Sequence, residues 1–146
     1  MDLRKILTPA LISLNMQAKD KHSAIEELVD ILMKTGKISD RDAALRAIFD
    51  REDKMSTGIQ HGVAIPHGKC DVIDEMVACL GVSKHGIDFE ALDGEPSTIF
   101  IMTLSPINRT GPHVQFLASI SQLLKNKEQR DQILAAATVD DIIALL

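Results

Sequence analysis

At 146 residues, with 45% apolar and 25% charged residues, the chain is long enough to bury a substantial core and reads as a single domain over 1–146. Four Phe, no Trp and no Tyr leave almost no base-stacking platforms, and a formal net charge of −5 repels a phosphate backbone, so nucleic acid is a poor partner. Two cysteines form no disulfide framework, the N-terminus M-D-L-R-K-I-L has no signal-peptide core, and no apolar run approaches the roughly 20 residues that span a bilayer, which points to a cytoplasmic protein with reduced thiols.

In chain order, residues 2–7 predict a short helix closed by Thr8-Pro9, and Ala10–Asn15 alternates like a strand. Asp20 is placed to cap a helix running to Thr35, with Ile25, Leu28, Val29 and Leu32 on one stripe, Gly36 as the residue that ends it and Ile38 as the accompanying apolar contact. Ser39 with Asp42 predicts the cap of a further helix through about Glu52, with Ala44 and Ile48 inside. Met76–Ser83 and Ser97–Leu104 read as strands, the second an apolar, β-branched run suited to the centre of a sheet, with a turn at Leu92–Pro96 between them. Residues 105–112 read as a loop, and Pro112 as the first residue of a helix to about Lys125 that buries Phe116, Leu117, Ile120 and Leu124. Helices at Lys127–Ala136 and from Thr138, capped with Asp141, complete the chain. The expected class is α/β (mixed α+β): a central mixed sheet with helices on both faces.

The chemistry concentrates in residues 51–70, R-E-D-K-M-S-T-G-I-Q-H-G-V-A-I-P-H-G-K-C. A small-residue loop leads to Val63-Ala64-Ile65, a run too short to be a core strand by itself, and Pro66 then presents His67 with Gly68 behind it. Proline fixes the backbone and glycine permits close approach, so His67 is held rigid and accessible, as a nucleophile should be. His113 follows Pro112 at a helix start, where free N–H groups favour an anion. Near His67, it makes a site of two imidazoles to which Arg51 adds a planar donor fork; taken alone, His113 is an ordinary helix-start residue and Arg51 a solvated charge beside Glu52 and Asp53. Such a set suits phosphoryl transfer, in which the protein mainly positions groups and meets charge on the transferred oxygens. His22 and His85, the latter in a Lys84-His85-Gly86 turn, read as solvated residues, and His61 as either surface or site rim.

Other chemistries find little support. There is no G-x-x-x-x-G-K-[ST] and no G-x-G-x-x-G, and Gly81-Val82-Ser83-Lys84-His85 lacks the closing glycine of a nucleophile elbow. His61, His67 and Cys70 have no common zinc spacing, so neither metal nor organic cofactor is expected, and Cys70 reads as an ordinary thiol.

Residues 51–68, together with G-I-D-F-E-A-L-D-G-E-P (86–96) and G-P-H-V-Q-F-L-A-S-I-S-Q-L-L (111–124), resemble the fructose/mannitol-type (type 2) EIIA domain of the bacterial phosphoenolpyruvate-dependent sugar phosphotransferase system, a family that includes nitrogen-regulatory EIIA proteins. The resemblance implies a mixed sheet flanked by helices and a phosphocarrier. His67 would accept a phosphoryl group from the carrier HPr and pass it to the cysteine of an EIIB domain, with or without a membrane EIIC joined to it. His113 would be the second active-site histidine and Arg51 the accompanying arginine. The nitrogen-type alternative is a phosphoprotein that regulates transporters or transcription by binding. Gln60 departs from the family pattern, where a small residue is usual, which leaves the loop path and the parts played by Ser56, Thr57 and His61 open.

Overall fold

Strands that are apolar on both sides need a cover on each, and that requirement sets the architecture of the computed structural model, which describes residues 1–146. In order, the elements are α1 (Leu3–Ile6), a 3-10 turn (Pro9–Leu11), β1 (Ile12–Ser13), α2 (Lys21–Met33), α3 (Arg41–Lys54), β2 (Val63–Ala64), β3 (His67–Cys70), β4 (Val77–Ile87), β5 (Ser97–Pro106), α4 (Thr110–Leu124), α5 (Lys127–Ala135) and α6 (Val139–Ile143). The five-stranded sheet has the order β1-β4-β5-β2, with β3 also on β5. Strands β4 and β5 are antiparallel, while β1 on β4 and both β2 and β3 on β5 are parallel, so the sheet is mixed.

Side-chain alternation sorts the strands into two cores. Phe100, Met102 and Leu104 of β5 meet Ile25, Leu28 and Leu32 of α2 and Ala44 and Ile48 of α3 on one face. Ile99 and Ile101 meet Phe116, Ile120 and Leu124 of α4, Ile133 of α5 and Ile142 of α6 on the other. The caps of α2 (Asp20 accepting from Ser23 N) and of α6 (Thr138 with Asp141) form as the sequence implies.

Several expectations give way. The cap of α3 is Asp40, which accepts from Ala43 N, while Ser39 Oγ turns away to donate to Val72 O. The Ala10–Asn15 strand shrinks to two residues, Ile12–Ser13, and Ala10 and Leu11 belong instead to the 3-10 turn that Pro9 opens. Gly36, at φ +69°, lies one residue further past the end of α2 than expected, after the last-turn cap at Lys34. Lys84-His85-Gly86 is no turn: β4 runs through it with an irregularity between Val82 and Ile87, which Gly86 absorbs at φ +78°.

The least expected element lies around His67. Val63 pairs with Ile99, Ala64 with Phe100, His67 with Thr103 and Cys70 with Pro106, so β2 and β3 keep one offset against β5 and form a single edge strand interrupted at Ile65–Pro66. Proline has no N–H to give the ladder and is tolerated at an edge. Val63 and Ala64 are thus buried sheet, and His67 stands on a strand, His67–Cys70, that the sequence alone does not mark.

Candidate functional site

On the edge strand His67 and Lys69 share one face with Val63 and Ile65, and the register places Thr103 and Ser105 of β5 opposite them. Along that face β5 changes character: Ile99 and Ile101 are apolar, whereas Thr103 and Ser105 are hydroxylic and fully buried, at 0% exposure. The apolar core therefore ends at the two residues beside the histidine. Thr103 Oγ1 donates to Val77 O at 3.1 Å, and Ser105 Oγ lies 2.9 Å from His113 Nδ1.

The alternating direction of strand carbonyls settles the state of His67. Pro66 O points at β5 and accepts from Thr103 N at 3.1 Å. Ile65 O therefore points the other way, and His67 Nδ1 reaches it at 2.8 Å. A carbonyl can only accept, so Nδ1 carries the proton and Nε2 keeps its lone pair, without a partner in the protein. Burial is the largest influence on this half-buried ring and lowers its pKa below 6.5; the charges of Arg51 and Lys69 act in the same direction, against the Ile65 hydrogen bond and Glu52.

His113 comes from the first turns of α4. That helix begins earlier than expected, at Thr110 after Arg109, so Pro112 is its third residue and His113 its fourth. Pro112 costs the helix no bond, because first-turn N–H groups have no intrahelical acceptor. His113 lies on the buried stripe of Phe116, Ile120 and Leu124 and so faces inward: it is 6% exposed, with its ring centroid 5.5 Å from that of His67 and the planes at 52°. Burial first, then the neighbouring His67 and Lys69, lowers its pKa to about 4. Both shifts favour the neutral ring, and each imidazole is anchored through Nδ1. Val114 beside it is 57% exposed.

Arg51, in the last turn of α3, donates from a guanidinium nitrogen to Met55 O at 2.8 Å, and its charge reaches His67. Ser56 Oγ donates to Phe89 O at 2.9 Å, and Thr57 Oγ1 to Glu52 at 2.6 Å, so both hydroxyls are already engaged within the chain. His61 is exposed, at φ 61°, with its N–H on Asp93 Oδ2 at 3.2 Å, and takes no part in the pair. His22 pairs with Glu26 and stacks on Phe49, and His85 reaches Ala18 O, all away from the pair. His61, His67 and Cys70 do not converge, and no group of three His, Cys, Asp or Glu side chains is placed to hold a metal ion. Cys70 and Cys79 are free and buried, and burial raises both thiol pKa values.

Sequence reasoning missed Lys69 and the pair Thr103 and Ser105. The signal was present: hydroxyls at alternate positions inside an otherwise apolar strand, T-L-S at 103–105, mark a face that stops being core.

Residues 5–146 match the family model described as "Phosphoenolpyruvate-dependent sugar phosphotransferase system, EIIA 2". The fructose-specific EIIABC component of Bacillus subtilis (strain 168) is 38% identical over 100% of this chain, which spans 23% of that protein's length. The fructose-specific EIIA component of Haloferax volcanii is 36% identical over 98% of this chain and 95% of its own length. Among solved structures, the nitrogen regulatory protein IIA-Ntr from Neisseria meningitidis has a TM-score of 0.86 and 26% identity, over 98% of this chain and 97% of that one.

Proposed function

Because this chain belongs to the type 2 EIIA family of the phosphoenolpyruvate-dependent sugar phosphotransferase system, we propose that it is a phosphocarrier whose acceptor atom is His67 Nε2. The observation that carries this reading is the His67 Nδ1–Ile65 O hydrogen bond, which holds the proton on the far side of the ring and leaves Nε2 as the nucleophile. In the forward step the Nε2 lone pair forms a bond to phosphorus as the P–N bond of a phosphohistidine donor, HPr, breaks, and the donor imidazole departs with that electron pair. In the second step a cysteine thiolate of an EIIB domain attacks phosphorus and the His67 P–N bond breaks, which restores the free ring. His113 and Arg51 supply donors to the transferred oxygens, and Lys69 supplies positive charge. EIIB as the onward acceptor is consistent with the fused EIIABC relative. No helix is long and apolar enough to cross a membrane, which suits a carrier that works in the cytoplasm between soluble domains.

Incubation with phosphoenolpyruvate, enzyme I and HPr tests the assignment: the intact mass should rise by about 80 Da, one phosphoryl group, and the adduct should be acid-labile and absent from His67→Ala. An unmodified wild type would overturn it. A second reading, a nitrogen-type regulator acting through a binding partner, draws on the nitrogen regulatory relatives at 26% identity. It shares the His67 chemistry, and transfer from the phosphorylated protein to an isolated EIIB domain separates the two: retention of the label favours regulation.

A further inference from the structure

The buried carboxylate of Glu52 takes no direct part in the reaction described above. Its side chain is 3% exposed, at the end of α3, and a carboxylate removed from water in this way needs partners for both oxygens. It has three: Lys21 Nζ at 3.0 Å, Thr57 N at 2.8 Å and Thr57 Oγ1 at 2.6 Å. Thr57, itself buried, is thus held by backbone and side chain together on one carboxylate.

The same residue continues the chain of contacts. Thr57 O accepts from Ile65 N at 3.0 Å, and Ile65 O accepts from His67 Nδ1 at 2.8 Å. A bridge between Gly58 and Ala64 runs alongside. Ile65 faces away from β5 by the alternation of the strand, so its N–H donates to the Thr57 segment and not to the sheet. The orientation of the imidazole is therefore set by where Thr57 sits.

We propose that Glu52 and Thr57 are positioning residues for His67, which fix its tautomer and ring direction through Ile65. This deepens the phosphocarrier reading and rests on it for its functional meaning. The physical basis is general: the hydrogen bond at one ring nitrogen decides which nitrogen is free, and loosening the group that supplies it releases both. Glu52 joins α2, through Lys21, to the segment that orients the nucleophile, so three separate stretches of the chain meet at this carboxylate.

The test reads the unphosphorylated protein first. By 15N NMR of the imidazoles, wild-type His67 should show a single tautomer with Nε2 unprotonated. Thr57→Val keeps the side-chain shape but removes the hydroxyl, and Glu52→Gln keeps its length but removes the charge. Each should give a mixture of His67 tautomers, and phosphoryl uptake from phospho-HPr should slow roughly ten-fold with the KM for the donor unchanged. Thr57→Ser should restore both readouts. Lys21→Met, at the partly exposed end of the chain of contacts, should shift the tautomer ratio in the same direction by less, and keeps the test decisive where a core substitution prevents folding. A lowered Tm with a single wild-type tautomer in these variants would overturn the proposal and leave Glu52 a purely structural group. Tautomers are read without any donor, so failure here is distinct from failure of His67 to accept phosphate.

Discussion

As the proposed nucleophile, His67 would attack only while its ring is neutral, and desolvation at the strand edge favours that form. The direction of the shift fixes the profile. With the folded-state pKa below 6.5, the rate of phosphoryl uptake should be near its plateau at pH 8 and fall as the pH drops, with its midpoint below about 6.5. Stopped-flow uptake with a donor held saturating at each pH measures this, and a midpoint above the ordinary histidine value would contradict it. His113, with its pKa near 4, stays neutral throughout that range and contributes no second inflection.

Among the elements, α3 sets the site by pressing against the strand behind it. A Cβ on Gly68 would lie 3.0 Å from the backbone carbon and oxygen of Ala47, atoms that a rotamer change cannot move. Gly68→Ala should therefore push the edge strand off the helix and cost about 1–3 kcal/mol of stability, read as a lower urea midpoint. Asp40→Ala, which removes the cap of the same helix, should cost about 1 kcal/mol and act far from the imidazoles. The helices were legible in the sequence because their information is local: the Asp20 cap and the Ile25–Leu32 stripe lie within one element. The strand bearing His67 was not, because a stretch such as His67-Gly68-Lys69-Cys70 becomes a strand only through residues 103–106. Two adjacent residues, Ser39 and Asp40, could both serve as the cap, and only the bend after β3 that brings Val72 O to Ser39 decides between them. His67, His113 and Arg51 were nameable as a candidate site from motif and resemblance, and the spacing of His113 to Phe116 and Ile120 puts it on the buried stripe of α4. The approach of its ring to within 5.5 Å of that of His67 was not legible, since it depends on how α4 packs on the sheet.

For the molecule as a whole, the two neutral histidines tie stability to acidity. His113 has a folded-state pKa of about 4 against 6.5 when exposed, so the unfolded chain binds more protons between those values. Its contribution is complete above pH 6.5 and is lost as pH falls toward 4, with His67 adding in the same direction. Urea unfolding at pH 7.5, 5.5 and 4 should show a falling midpoint, and His113→Gln should flatten that fall.

Both native cysteines are buried, Cys70 at 7% exposure and Cys79 at 0%. The surface is accordingly silent toward maleimide chemistry while the protein is folded. A lone cysteine introduced at Val114, 57% exposed and next in sequence to His113, would be the one open thiol, and a dye attached there would report on the start of α4 as a partner arrives. The fold thus comes ready for watching each carrier encounter in real time.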